Sequence, residues 1–124
     1  MTDMTMDNFL AVLSSSEPVP GGGGACGYVA AVGMSLGNMV LALTTGKKKY
    51  AEYQEEIEEL IVKATDLTKR LAECMDKDAE SFKPLAAAYG LPKDTEEQIK
   101  EREAIMAKAL VTASEAPLSM MELI

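Results

Sequence analysis

Residues 50–74 read YAEYQEEIEELIVKATDLTKRLAEC, and within them Tyr50, Tyr53, Ile57, Leu60, Ala64, Leu67, Leu71 and Cys74 recur at alternating steps of three and four. Such steps gather apolar side chains on one face of an α-helix. Between them stand Glu52, Glu55, Glu56, Glu58, Glu59, Lys63, Lys69, Arg70 and Glu73, a solvated surface with opposite charges at helical spacing. One long amphipathic helix is predicted here, and the rest of the chain has to cover the face that it buries.

Continuing the same steps past Cys74 leads to Asp78, then Phe82, Leu85 and Tyr89. A carboxyl group therefore occupies the apolar row. Desolvation disfavours a carboxylate and raises its pKa, which would ready Asp78 to exchange protons near neutrality. The alternative is a structural acid satisfied by a backbone amide, a lysine or a cap near Pro84, whose missing N–H is expected to bend or interrupt the helix. Asp76 points about 200° away around the helix and should be solvated.

Upstream, Phe9, Leu10, Val12 and Leu13 at helical spacing predict a short opening helix capped by Thr5 or Asp7. It stops at Ser14–Gly24, where Pro18 and Pro20 fix extended backbone and four consecutive glycines permit unusual angles. Gly22, Gly24 and Gly27 match a dinucleotide fingerprint by letter, but no strand precedes them. What remains is a pliable turn, Gly21–Gly24, feeding a helix whose unpaired amides and positive dipole end suit an anion or a carbonyl oxygen. A tight connection needing small residues would look the same.

The helix expected from Ala25 to Thr45 carries no charge, and its small residues Gly27, Ala30, Gly33 and Gly37 leave one face nearly bare. A helix that is apolar or small all round must be buried on most sides. Its length and the pair Gly33/Gly37 would suit a membrane, but Ala, Gly, Ser, Thr and Asn dominate it, so a protein core rather than a membrane is expected. Lys47, Lys48 and Lys49 follow as the one dense positive patch, suited to a small polyanion or to a solvated helix start.

Beyond Gly90-Leu91-Pro92-Lys93, Thr95-Glu96-Glu97-Gln98 matches a capping box. The helix that it opens has apolar positions Ile99, Met106, Leu110, Ala113, Pro117, Met120, Met121 and Ile124, a pattern that runs to the last residue. No window alternates with period two. The expectation is an all-α antiparallel helical bundle with residues 1–124 in a single domain.

Composition narrows the chemistry. The 124 residues carry a net charge of -8 and no histidine, which argues against a nucleic-acid partner and removes His-based triads, proton shuttles and HExxH zinc sites. Cys26 and Cys74 form no CxxC unit and are read as buried thiols. No charged segment followed by an apolar core opens the chain, so a cytoplasmic location is expected.

Taken in order, Ser16-Glu17-Pro18-Val19-Pro20-Gly21-Gly22-Gly23, Gly46-Lys47-Lys48-Lys49-Tyr50, Asp76-Lys77-Asp78-Ala79-Glu80-Ser81-Phe82 and Leu91-Pro92-Lys93 resemble the cyclodeaminase/cyclohydrolase family over essentially the whole chain. That family includes the C-terminal domain of formiminotransferase-cyclodeaminase and stand-alone methenyltetrahydrofolate cyclohydrolases. The resemblance implies an all-helical homodimer that takes a tetrahydrofolate derivative as substrate, with no metal and no further cofactor. It implies Asp78 as catalytic proton acceptor, Gly21, Gly22, Gly23 and Gly24 as the substrate-binding turn, and Lys47, Lys48 and Lys49 at the glutamate tail of folate. Gly24 stands where the family usually has Ser, and Pro84 is unusual. Family domains are longer, so the family's C-terminal helices are expected to be missing from this chain. A non-catalytic helical assembly module is the competing reading, since an uncovered apolar face would also serve association.

Overall fold

A computed structural model describes residues 1–124 and contains four α-helices, one short 3₁₀ segment and no strand, in agreement with the all-α bundle expected from periodicity. α1 (Met6–Leu13) begins where the Thr5 hydroxyl accepts the Asn8 amide at 3.2 Å. α4 (Glu96–Leu123) begins at the anticipated capping box. There the Thr95 hydroxyl accepts the Gln98 amide and the Gln98 side-chain oxygen accepts the Thr95 amide, each at 3.2 Å.

α3 (Gln54–Tyr89) is the central element, with α2 (Gly22–Thr44) and α4 both packed along it. Its buried residues Ile57, Ala64, Leu71 and Leu85 lie at multiples of seven, with Cys74, Met75, Ala79 and Ala88 beside that row. Seven residues are nearly two helical turns, so the row follows one side of α3. Met75, at 1% exposure, is the most enclosed large side chain. Short connections make the neighbours antiparallel. At the α2–α3 turn, Gln54 Oε1 accepts the Gly46 amide at 2.9 Å and Gln54 Nε2 donates to Thr45 Oγ1 at 3.0 Å.

Several expectations are corrected. Tyr50 and Tyr53 precede α3 in a 3₁₀ segment (Lys48–Tyr53) instead of continuing its face. α3 also runs through Pro84 to Tyr89 without interruption. Pro84 is exposed, so the Glu80 carbonyl that loses its donor can be hydrated there. α2 starts at Gly22, three residues before the expected Ala25, so the glycines form its first turn. None of them uses left-handed backbone; Gly46, at φ 73°, is the one residue that does. Of the two cysteines, Cys74 is buried but Cys26 is exposed.

The largest correction concerns the burial of α2. Gly24, Gly27 and Ala31 form its buried face, where a Cβ at Gly27 would stand 3.2 Å from the Leu71 carbonyl oxygen and 3.0 Å from Met120 Cε. The opposite side carries Val29, Val32, Leu36, Met39 and Leu43 at steps of three and four, each 48–70% exposed. Nothing lies within 4 Å of a Cβ at Gly33, and at Gly37 only Met34 of the same helix does, so the close crossing is at Gly24–Ala31 and not at that pair. By length and composition α2 is long and apolar enough to cross a membrane.

Asp76 is exposed as expected and accepts from the Met1 amine at 2.9 Å. That hydrogen bond holds the amine pKa above its ordinary value.

Candidate active site

Asp78 falls midway between Leu71 and Leu85 on the sevenfold row of α3, and there its carboxylate meets the first turn of α2. Oδ2 accepts the Gly24 amide at 3.0 Å. Helix N-termini leave such amides without intrahelical partners, and Gly21 has no side chain with which to cap them. α3 therefore supplies the cap that α2 lacks, with the positive end of the α2 dipole facing the negative charge. The backbone-amide partner considered for a structural acid is present. Full withdrawal from water is not, because Asp78 is half-buried and no charged residue in the chain is fully buried. The row at this point meets the first turn of α2 on one side and an open cleft on the other.

The glycine turn owes its composition to space. A Cβ at Gly23 would stand 3.0 Å from Asp78 Oδ1 and 3.3 Å from its Cγ. At Gly24 it would meet Met75 Cγ at 3.3 Å and Asp78 Oδ2 at 3.4 Å, whereas at Gly22 nothing lies within 4 Å. Gly23 and Gly24 thus let the carboxylate reach the helix end, and Gly22 leaves its side open.

Gly21, Gly22, Gly23 and Asp78 line one cleft of about 400 Å³ with Pro18 and Val19, with Phe82 and Leu85 of α3, and with Leu110, Ala113, Ser114 and Pro117 of α4. Its volume is in the range of small-molecule sites. Gly24 does not line it: the residue is buried beneath the turn with its amide committed to Asp78. Available around the cleft are a carboxylate, unpaired first-turn amides and apolar walls, a set that can hold a flat polar ring and accept a proton from it or from a water beside it. No group of three or more Cys, Asp or Glu side chains is gathered as a metal site.

Lys47, Lys48 and Lys49 are not brought to this cleft. They follow the opposite end of α2, about 33 Å from Gly22 by the helical rise, and are exposed, with Lys49 Nζ 5.4 Å from the Tyr50 ring centroid. The rigid length of α2 separates the two groups within one chain. Conversely, the α4 wall was not anticipated as part of a site: Leu110, Ala113 and Pro117 read as apolar positions and Ser114 carried no signal. The available clue was a proline inside a helical run.

The geometry can be set beside known proteins. A family model for formiminotransferase-cyclodeaminase matches residues 5–124. The methenyltetrahydrofolate cyclohydrolase of Methylorubrum extorquens is 42% identical over 115 residues, 93% of this chain and 55% of that protein. The formimidoyltransferase-cyclodeaminase of Dictyostelium discoideum is 32% identical over 123 residues, 99% of this chain and 22% of that protein. Formiminotetrahydrofolate cyclodeaminase of Thermotoga maritima shares the fold, with a TM-score of 0.80 at 24% identity, covering 98% of this chain and 57% of that one. This chain therefore spans about half the length of the cyclohydrolase, and less of the Dictyostelium discoideum protein. With all but its first four residues matched, the chain belongs to the formiminotransferase-cyclodeaminase family.

Proposed function

We propose that the protein is a methenyltetrahydrofolate cyclohydrolase in which Asp78 is the proton acceptor. The observation that carries this reading is the position of the Asp78 carboxylate, 3.0 Å from the Gly24 amide at the mouth of α2 and on the wall of the cleft. Water adds to the carbon bridging N5 and N10 of the folate and gives up one proton to Asp78. The N5–C bond then breaks as the hydroxyl on that carbon loses its proton to become the formyl C=O and N5 gains one, which leaves the N10-formyl compound. General-base transfer of this kind contributes about 10²–10⁴ in rate, the remainder coming from positioning. Similarity to the Methylorubrum extorquens cyclohydrolase supports ring opening as the reaction. The second reading, supported by similarity to the cyclodeaminases, is attack of N10 on an N5-formimino carbon with release of ammonia. Neither reading calls for a cofactor.

Incubating the protein separately with methenyl- and formiminotetrahydrofolate distinguishes them. Accelerated loss of the methenyl absorbance is expected; ammonia release with growth of that absorbance would replace the first reading by the second, and inertness toward both would end each. A paired test concerns the turn. Gly23→Ala is expected to displace Asp78 and slow the reaction about 10²-fold, whereas Gly22→Ala, whose Cβ meets nothing, should keep its rate. Equal rates for the two variants would count against the assigned site.

The reading includes a homodimer joined through the exposed stripe of α2, whose spacing is that of a coiled-coil seam. Antiparallel pairing would carry the Lys47–Lys49 end of one helix to the glycine end of the other, where lysines can meet the carboxylates of a folate tail. A monomer mass in sedimentation equilibrium would sink this arrangement.

A further inference from the structure

Proline inside a helix removes one main-chain donor and leaves the carbonyl four residues earlier without its intrahelical partner. α4 contains one such residue, Pro117, and the carbonyl concerned is that of Ala113. Ala113, Ser114 and Pro117 all line the cleft that holds Asp78, so the opened rung of the helix borders the site. No side chain compensates: the Ser114 hydroxyl donates instead to the Val111 carbonyl at 2.7 Å, and the Thr112 hydroxyl to that of Lys108 at 3.3 Å. The contrast with Pro84 is instructive, because that proline is exposed and lies outside the cleft. A part-buried helix rung opened beside a carboxylate is a costly feature for a bundle that gains nothing else from it.

We propose that the Ala113 carbonyl oxygen, freed by Pro117, accepts a hydrogen bond from a ring or amino N–H of the bound reduced pterin and so orients it against Asp78. The inference rests on the folate reading above. Across the cleft the first-turn amides of Gly22 and Gly23 are donors, while Ala113 is an uncharged acceptor that takes no proton. Its role is therefore to position the substrate and not to transfer a proton. Among the pterin's own groups, the 2-amino group and the ring N–H atoms are the complementary donors.

Two variants test it by calorimetric binding of tetrahydrofolate together with thermal melting. Pro117→Ala restores an N–H that pairs with Ala113; it should raise the melting temperature and weaken binding about three- to tenfold, the loss of one neutral hydrogen bond. A semisynthetic chain with the alanine ester analogue, lactic acid, at position 117 lacks both ring and N–H, leaves Ala113 free, and should recover the binding that Pro117→Ala loses. Undiminished binding by Pro117→Ala overturns the proposal, as does equal weakening by the ester, which would assign the effect to proline's shape. If the unmodified protein binds no tetrahydrofolate, the folate reading fails and this inference with it.

Discussion

Asp78→Asn is expected to slow hydrolysis of methenyltetrahydrofolate by about 10²–10⁴-fold while the helical melting curve stays nearly unchanged. The substitution separates two duties of one side chain. An asparagine oxygen can still accept the Gly24 amide, which lies 3.0 Å from Oδ2, so the α2 cap survives. It cannot take a proton from water. Asp78→Ala removes both duties and should also destabilise the fold by about 1 kcal/mol, the typical loss of a helix cap. The measurements are the rate of loss of methenyl absorbance and circular-dichroism melting. If Asp78→Asn turned over at the native rate, the carboxylate would be a cap and nothing more.

Gly27→Leu is expected to have the largest effect on stability. A Cβ there already stands 3.2 Å from the Leu71 carbonyl oxygen, which is backbone and cannot swing aside, and 3.0 Å from Met120 Cε, which can. The extra branches of leucine have to push α2 away from α3. Overpacking of this kind costs about 3 kcal/mol, well above the gain of about 1 kcal/mol from replacing glycine in a helix. Set against a stability of about 5–15 kcal/mol for an ordinary domain, a fall in the melting temperature on the order of ten degrees should follow. Gly33→Leu is the control, since a Cβ there has open space within 4 Å. An unchanged melting temperature for Gly27→Leu would show that the helices do not cross at this point.

Elements whose signals are local could be read from the chain alone. Thr95 and Gln98 exchange hydrogen bonds three residues apart, and the apolar steps through Leu71 and Cys74 continue to Asp78 and Leu85 as counted. The start of α2 was not legible, because three glycines disfavour a helix locally and the contact that makes them helical comes from Asp78, 54 residues away. Interruption at Pro84 was overestimated because the acceptor left unpaired there, the Glu80 carbonyl, is cheaply hydrated beside an exposed proline. The burial of α2 was overestimated because apolar composition reveals which faces need covering and not which of them this chain covers. Asp78 itself emerged from periodicity, but its partners did not: Ala113 and Pro117 share its cleft only through the register of α4 on α3.

The placement of Asp78 among Ile57, Ala64, Leu71 and Leu85 ties the chemistry to the core through simple numerology. One residue added to α3 between Leu71 and Asp78 would swing the carboxylate about 100° around the axis and off the mouth of α2; seven added residues would keep its bearing but carry it about 10 Å along the axis. In the first case Leu85 and Ala88 swing with it and leave the core, and in the second they keep their face but slide past α2. Length changes within this segment should therefore strike turnover and packing together, which makes the spacing of α3 a stricter inheritance than the identity of most residues along it.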